Sequence, residues 1–254
     1  MGADLDLALR LADAADTLAM SRFRARDLVV ETKPDKTPVT EADRAVEAEL
    51  RTILGVERRR DAILGEEEGQ TGSSARRWIV DPIDGTRNYS RGVPVWATLI
   101  ALEDHGRVTV GVVSAPALHR RWWAERGEGA HANGDAVRVS RVGRPEDAVL
   151  TFALEQSLPR LASRAWHARG YGDFWSHMLV AEGAVDGAID AIGVSVWDLA
   201  AVQVIVEEAG GTFTDFAGAH RIDGGSAISS NGLLHAELLE QLAPAPRPPE
   251  APRR

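Results

Sequence analysis

The sequence predicts an α+β fold in which an antiparallel-rich sheet is flanked by helices. Two observations predict it. Up to about residue 140, six short apolar segments are separated by turn residues, which is typical of strands joined by hairpins. Beyond that point, apolar strands alternate with segments of helical spacing. We therefore expect an N-terminal α+β half over 1–135 and a C-terminal α/β half over 136–242.

The N-terminal half opens with an amphipathic helix over about 4–25, because Leu and Ala recur there at helical spacing. A strand at 28–33 leads into a segment at 34–39 that contains two prolines and is predicted to be a loop. A second helix is expected over 40–54. The other predictions are strands ending near Gly65 and Asp81, a mobile connector at 70–77, a helical turn at 87–91, strands at 95–102, 108–113 and 121–125, and a hairpin at Asn133-Gly134.

The C-terminal half is predicted to alternate between strands and helices. Its elements are a strand at 148–152, a helix near 157–168, a glycine-rich break at 169–174, a helix at 175–184, a strand at 188–192, a helix at 199–209 closed by Gly210-Gly211, strands at 211–215 and 226–229, and a helix at 232–242. The tail, 243–254, has five prolines among twelve residues and is predicted to be disordered.

Composition excludes several classes of function. The net charge of −9 argues against a nucleic-acid partner, since such proteins carry basic patches. The absence of cysteine excludes disulfides, thiolate metal sites and cysteine nucleophiles. No run approaches the roughly 18 apolar residues of a membrane span, and the charged N-terminus is unlike a signal peptide. We expect a soluble, cytoplasmic protein that does not bind membranes.

Two carboxylates stand three residues apart in the string Asp81-Pro82-Ile83-Asp84-Gly85-Thr86, which follows the apolar run of a predicted buried strand. An Asp-Gly pair alone would be an ordinary turn. Two carboxylates this close repel each other unless a cation lies between them, and hard cations such as Mg²⁺ take oxygen ligands. The amides of Gly85 and Thr86 would open a short helix, where phosphate groups bind readily.

Three other acidic residues each have an ordinary explanation. Glu66 begins a run of three glutamates after Gly65, which on its own is typical of a solvated loop. Asp43 stands three residues after Thr40 and matches a variant of the capping box. Asp198, in the string W-D-x-A-A, stands at the predicted start of a helix, where an aspartate cap is common.

Taken together, these strings resemble the signatures of the inositol monophosphatase superfamily of Mg²⁺-dependent phosphatases. The matching strings are T-x-x-D, G-E-E, D-P-I-D-G-T and W-D-x-A-A followed by E-E-A-G-G, in that order over 40–211. The resemblance implies the layered αβαβα sandwich of the sugar phosphatases, with the active site where the two halves meet. It also implies a homodimer, because members of the superfamily are commonly dimers.

The resemblance further implies a role for each matching residue. The metal ligands of two or three Mg²⁺ would be Glu66, Asp81, the Ile83 carbonyl, Asp84 and Asp198. The groups that orient and deprotonate the attacking water would be Glu66 and Thr86, with Asp43 beside the metals. The substrate contacts would be Gly85, Thr86, Arg169, Asp173, Asp190 and Asp198. The reaction would be direct attack of a metal-activated water on a small phosphate monoester.

The substrate loop departs from the G-[ST]-A form of true inositol monophosphatases. It reads R-G-Y-G-D-F at 169–174, which resembles the histidinol-phosphate phosphatases of this superfamily from actinobacterial histidine synthesis. Histidinol phosphate carries an ammonium and an imidazole, so Asp173 and Asp190 would suit it electrostatically.

Three alternatives remain at this point. One is an inositol-1-phosphate phosphatase of broad substrate range. A 3′-phosphoadenosine-type nucleotide phosphatase is disfavoured, because the basic candidates are limited to Arg87, Arg91 and Arg169. A catalytically silent binding or scaffold protein is disfavoured, because every metal-ligand position is filled. The seven histidines show no zinc-ligand spacing, and the apolar segment 99–113 would suit a dimer interface.

Overall fold

Five layers of secondary structure stack in the order helix, sheet, helix, sheet, helix. The computed structural model describes residues 2–34, 36–152, 163–190 and 193–242. The outer layer consists of α1 (Ala3–Arg22) and α2 (Glu41–Glu57), joined by a hairpin of β1 (Val30–Thr32) and β2 (Pro38–Thr40). The predicted αβαβα sandwich is confirmed, and the two N-terminal helices lie close to their predicted bounds.

The first sheet has eight strands in the order β10-β9-β8-β7-β6-β5-β3-β4. Its pairs are antiparallel except β3–β5, in agreement with the predicted hairpins. The strands are β3 (Ala62–Gly65), β4 (Gly69–Thr71), β5 (Arg76–Asp84), β6 (Ala97–Asp104), β7 (Arg107–Ala115), β8 (Arg120–Glu125), β9 (Ala130–Ala132) and β10 (Asp135–Val137).

Two local predictions in this half were wrong. The segment 34–39 is not all loop, because Pro38 begins β2 and pairs with Thr32. Proline is compatible with the first residue of a strand, since its missing N–H is not needed there. Half of the connector at 70–77 is strand, because β4 pairs with β3 through Gln70 and Leu64, while β5 already begins at Arg76.

The middle layer consists of α4 (Asp173–Ala181) and α5 (Val196–Glu208), while the single helical turn α3 (Thr86–Ser90) follows β5. Helix α5 packs directly on β7, where a side chain at Gly111 would put its Cβ 2.4 Å from a Val204 methyl group. The segment 99–113, which the sequence suggested for a dimer interface, is instead largely buried within the chain. Leu99 and Val113 belong to the core under α5.

The second sheet has five strands in the order β12-β11-β13-β15-β14, and α6 (His235–Leu242) covers its outer face. Its strands are β11 (Val149–Phe152), β12 (His167–Arg169), β13 (Gly187–Asp190), β14 (Thr212–Thr214) and β15 (Ala227–Ser230). Strands β11–β12 and β11–β13 are parallel, whereas the other two pairs are antiparallel. The sheet is therefore mixed, with two parallel pairs where the first sheet has one.

The helix predicted near 157–168 falls partly outside the described residues, and its end is wrong because His167–Arg169 is a strand beside β11. The predicted disordered tail at 243–254 and the end of the strand at 188–192 also lie outside them. Within the described ranges, no helix has both the length and the apolar character needed to cross a bilayer.

Candidate metal centre and active site

The end of β5 carries two of the predicted ligands into the middle of the molecule. Asp81 pairs with Leu99 of β6 and Asp84 with Ala97, and the register shifts between the two aspartates. Such an irregularity re-aims side chains at a strand end. The Asp81 carboxylate accepts a hydrogen bond from the Ile83 amide at 3.0 Å. The Asp84 carboxylate accepts one from the Phe174 amide at 2.7 Å, which links it to the start of α4.

The third ligand, Asp198, comes from the middle layer. Helix α5 begins at Val196, so Asp198 lies in its first turn and is not the N-cap that the sequence suggested. Its carboxylate accepts a hydrogen bond from the amide of Ser195, the actual N-cap, at 2.6 Å. This reciprocal arrangement fixes the side chain at the start of a rigid helix, as in a capping box.

Asp81, Asp84 and Asp198 converge, with ligand oxygens that all lie within 4.8 Å of one another. Burial raises the pKa of the Asp81 and Asp84 carboxyls well above their usual range, and neighbouring carboxylates raise it further. Burial and the nearby Glu66 raise the pKa of Asp198 to about 7. Buried carboxylates that repel each other in this way form a site that a hard, oxygen-seeking cation would stabilise.

Glu66 lies at the edge of this cluster, in the turn between β3 and β4. Its carboxylate pairs with the Lys33 ammonium at 2.8 Å, and the same ammonium pairs with Glu67 at 2.6 Å. The buried Glu47 of α2 shapes the turn by accepting the amides of Glu67 at 2.7 Å and Glu68 at 3.0 Å.

Close packing against Glu47 explains why a glycine, Gly65, opens the G-E-E-E run. A Cβ at Gly65 would lie 2.2 Å from a Glu47 carboxylate oxygen, so only glycine lets Glu47 reach the turn.

Two of the residues predicted to act on water, Thr86 and Asp43, are joined by a hydrogen bond. The Thr86 hydroxyl lies 3.0 Å from an Asp43 carboxylate oxygen and 2.9 Å from the Ile83 carbonyl oxygen. The other Asp43 oxygen accepts the Thr40 amide at 2.8 Å, and the capping box predicted for this helix start is present. Burial raises the pKa of the Asp43 carboxyl, with Glu66 adding to the effect. Asp43 therefore both caps α2 and holds Thr86.

A cavity of about 340 Å³ opens above these groups. Its lining includes Glu66, Asp81, Ile83, Asp84, Gly85, Thr86, Arg87, Asp173, His177, Asp190, Val194 and Asp198. Gly85 has a φ of +82°, and a side chain there would put its Cβ 3.0 Å from the Val95 carbonyl oxygen. Only glycine therefore suits this corner of the cavity floor.

Asp173 and His177 on α4 and Asp190 on β13 also line this cavity, and we call this group the alcohol end, after the substrate contact that the resemblance implies for its two aspartates. Asp173 opens α4 with a φ of +50°, a conformation that costs a non-glycine residue free energy and is often found at functional sites. Burial and the nearby Asp190 raise the pKa of Asp173 to about 6. Arg169, by contrast, does not line the cavity. Its side chain is exposed, and its guanidinium donates a hydrogen bond to the His167 Nε2 atom at 2.9 Å.

A second cavity, of about 380 Å³, lies on the other side of α5. Its charged residues largely pair with one another, as Arg77 does with Glu103 and Arg221 with Asp223. The converging carboxylates make the first cavity the candidate active site.

Three residues of the site were missed by sequence reasoning. Lys33 and Glu47 reach the G-E-E turn from segments 33 and 19 residues away from Glu66. His177 stands four residues after Asp173, which is the spacing that puts two side chains on one helix face. This spacing was the one signal in the sequence that could have pointed to His177. It was not sufficient, because the sequence does not show which face of α4 lines the cavity.

Comparison with known proteins agrees with this geometry. The family model described as the inositol monophosphatase family matches residues 4–247. The chain belongs to the inositol monophosphatase family. A histidinol-phosphatase of Mycobacterium tuberculosis is 54% identical over 94% of this chain and 97% of the relative, and one of Streptomyces coelicolor is 49% identical over 94% and 96%.

Solved structures of this family have the same fold. The suhB protein of Bartonella henselae has a TM-score of 0.89 at 30% identity, covering 96% of this chain and 100% of its own. An IMPase of Thermotoga maritima has a TM-score of 0.86 at 33% identity, covering 94% and 96%. This inositol monophosphatase family member is therefore a phosphatase of phosphate monoesters, and metal dependence is general to the family.

Proposed function

We propose that this phosphatase hydrolyses histidinol phosphate, using two or three Mg²⁺ ions. The observation that carries the proposal is that two carboxylates, Asp173 and Asp190, line the same cavity as the cluster of metal-type carboxylates. Two neighbouring carboxylates favour a cationic alcohol, because a bound cation relieves their repulsion. The names of the two relatives described above support the same substrate.

Magnesium fits the ligands that the chain offers. Asp81, Asp84 and Asp198 supply only oxygen, and Glu66 and the Ile83 carbonyl add two further oxygen ligands beside them. Oxygen-only sites of this charge are typical of Mg²⁺. When bound, Mg²⁺ would lower the pKa of a coordinated water and neutralise charge on the phosphate.

The chain's own residues would orient the reaction. Thr86, held by Asp43 and Ile83, would direct its hydroxyl oxygen toward the attacking water, and Glu66 would accept the proton of that water. The amides of Gly85 and Thr86 would hold the phosphate. The bond from the water oxygen to phosphorus would then form as the bond to the alcohol oxygen breaks. The departing alkoxide would take up a proton from solvent, and Glu66 would release its proton to solvent.

The test is phosphate release with Mg²⁺ from histidinol phosphate and from inositol-1-phosphate at equal concentration, for the wild-type protein and Asp173→Asn. We expect wild type to prefer histidinol phosphate by at least about 10²-fold in kcat/KM, and Asp173→Asn to remove most of that preference. Asparagine keeps the size of the side chain but removes the charge, so the comparison isolates the electrostatic contribution.

Equal rates for the two substrates, or a preference for inositol-1-phosphate, would contradict the histidinol assignment and favour a broad inositol-phosphate phosphatase. A preference that survives Asp173→Asn would mean that this carboxylate does not select the substrate. Loss of all phosphate release on adding a chelator, with recovery on adding Mg²⁺, tests the metal separately.

The proposal has three further parts. They are a homodimer, which the resemblance implies, a cytoplasmic location, which the composition favours, and a division into halves at 1–135 and 136–242, which the change of sequence pattern favours. The separate sheets, which end at β10 and begin at β11, support a division in this part of the chain. Light scattering coupled to size exclusion tests the dimer, and expression of each half alone tests the division.

A further inference from the structure

His177 has a buried ring nitrogen without a hydrogen-bond partner. The residue lies on α4, four positions after Asp173, and only 2% of its surface is exposed. Its Nδ1 atom lies 2.7 Å from the Ser229 hydroxyl on β15. Its Nε2 atom is buried and has no partner within the described residues. The ring is therefore fixed at one nitrogen and unsatisfied at the other.

The surroundings of this nitrogen point to the cavity. The nearest carboxylate, Asp190, has an oxygen 3.8 Å from Nε2, which is too long for a hydrogen bond. The Phe213 ring lies beside the imidazole, with centroids 6.4 Å apart. His177 itself lines the cavity together with Asp173 and Asp190. Leaving such a group unpaired in the folded state is unfavourable, and a ligand that hydrogen-bonds it would remove that cost.

We propose that His177 is a specificity-determining residue, whose Nε2 atom hydrogen-bonds a polar nitrogen group on the alcohol half of the substrate. The inference rests on the proposed function, and it names the contact that would complete the alcohol end. The two carboxylates attract a cation from any direction. The imidazole adds direction, because Ser229 and Phe213 fix the plane in which Nε2 can bond.

This contact would discriminate between phosphate esters. A substrate with a matching nitrogen group pairs Nε2, whereas a substrate without one leaves it buried and unpaired. Sites built to hydrogen-bond a substrate group reject analogues that lack it more strongly than apolar pockets reject a change of size. The selected class is therefore phosphate esters of nitrogen-bearing, cationic alcohols.

Two substitutions of similar size separate the ring nitrogens. His177→Asn puts a polar atom near the position of Nδ1, so it can still bond Ser229 but does not reach the cavity. His177→Gln reaches the position of Nε2. For each variant, kcat/KM is measured with histidinol phosphate and with p-nitrophenyl phosphate, which lacks a nitrogen donor or cation. Histidinol binding is measured by titration calorimetry.

We expect His177→Asn to lower the ratio of the two kcat/KM values by about 10- to 100-fold, mainly through KM for histidinol phosphate, and to weaken histidinol binding by a similar factor. His177→Gln should keep the ratio within about threefold of wild type. A merely structural role would lower both kcat/KM values together and leave the ratio unchanged, which would overturn the inference.

The calorimetry separates this inference from the proposed function. If wild type does not hydrolyse histidinol phosphate yet binds histidinol, and His177→Asn loses that binding, the proposed reaction fails while the contact stands. If wild type does not bind histidinol, or if both variants bind it as wild type does, the contact is overturned whatever the phosphatase activity.

Discussion

The two ends of the cavity are built by different means. At the metal end, Asp81, Asp84 and Asp198 are each held by a backbone amide, two of them from residues within three positions along the chain. At the alcohol end, Asp173 and His177 come from α4 and Asp190 from the end of β13, and the main-chain conformation of Asp173 is strained. The residues of the metal end stand in the two sequence motifs D-P-I-D-G-T and W-D-x-A-A, whereas the alcohol end is assembled by tertiary packing.

This difference assigns separate tasks to the two ends. The metal end carries charge repulsion that any divalent cation and any phosphate ester would engage. The alcohol end, as proposed, would contact only the part of the substrate that differs between esters. Substitutions at the metal end should therefore affect all substrates alike, while those at the alcohol end should change the order of preference among them.

The largest effect is expected for Asp84→Asn. Removing one ligand charge should lower kcat/KM by about 10³-fold for histidinol phosphate and for inositol-1-phosphate alike. Without metal, the variant should unfold at a higher temperature than wild type, because one buried, repelling carboxylate is gone. Phosphate release and thermal unfolding with and without Mg²⁺ measure both.

The exposed Asp135 provides the matched control, since Asp135→Asn makes the same chemical change far from the cavity. A fall in activity for one substrate only would break the distinction between the two ends. Wild-type activity in Asp84→Asn would remove Asp84 from the site altogether.

A smaller, equally uniform effect is expected for Thr86→Val. Valine keeps the shape but removes the hydroxyl that lies between Asp43 and the Ile83 carbonyl. We expect kcat to fall by about 10²-fold on every substrate while KM changes little, because the hydroxyl orients the water and not the alcohol. Steady-state kinetics with both substrates measure the split between kcat and KM.

Thr109→Val is the control for Thr86→Val. The Thr109 hydroxyl donates to the Leu102 carbonyl at 3.2 Å within the first sheet, away from the cavity. Its loss should leave kcat unchanged. A change in KM for one substrate in Thr86→Val would instead connect this hydroxyl to the alcohol end.

The same contrast explains how much the sequence could predict. The capping box at Thr40 agrees with expectation, because it depends on a local string. The five layers and the convergence of Asp81, Asp84 and Asp198 agree with what the family resemblance implied, and spacing along the chain alone could not predict them. Lys33 could not be predicted, since its contact with Glu66 depends on how the β1–β2 hairpin folds over the turn. Arg169 shows the opposite failure. It stands in the predicted substrate loop, yet its backbone belongs to an edge strand.

The smallest effect is the dependence of metal-free stability on pH, to which raised carboxyl pKa values at both ends of the cavity contribute. Burial raises the pKa of Asp198 to about 7, above its ordinary value of 3.8. The folded state thus binds more protons than the unfolded state between these values, and metal-free stability should fall as pH rises from about 4 to 7. Bound Mg²⁺ favours the charged carboxylates, so its stabilising effect should grow over the same range.

His235 gives the opposite trend and therefore an internal control. Each ring nitrogen of His235 shares a hydrogen bond of 2.9 Å with a hydroxyl group, Nε2 with Thr214 and Nδ1 with Ser230. Burial lowers the pKa of the imidazole from 6.5 to about 4. The unfolded state binds the extra proton, so stability from this residue is lost as pH falls from 6.5 toward 4, by at most about 3 kcal/mol.

Because His235 is the first residue of α6 and does not line the cavity, its contribution should be the same with and without Mg²⁺. It should cancel when the free energy of unfolding measured without metal is subtracted from that measured with it, between pH 5 and 7.5. His235→Gln should flatten the acid side of both curves and leave their difference unaltered. The prediction is contradicted if the difference between the free energies of unfolding with and without Mg²⁺ changes in this variant, or if it stays constant with pH in wild type. Either result would mean that the raised carboxylate pKa values do not control metal binding.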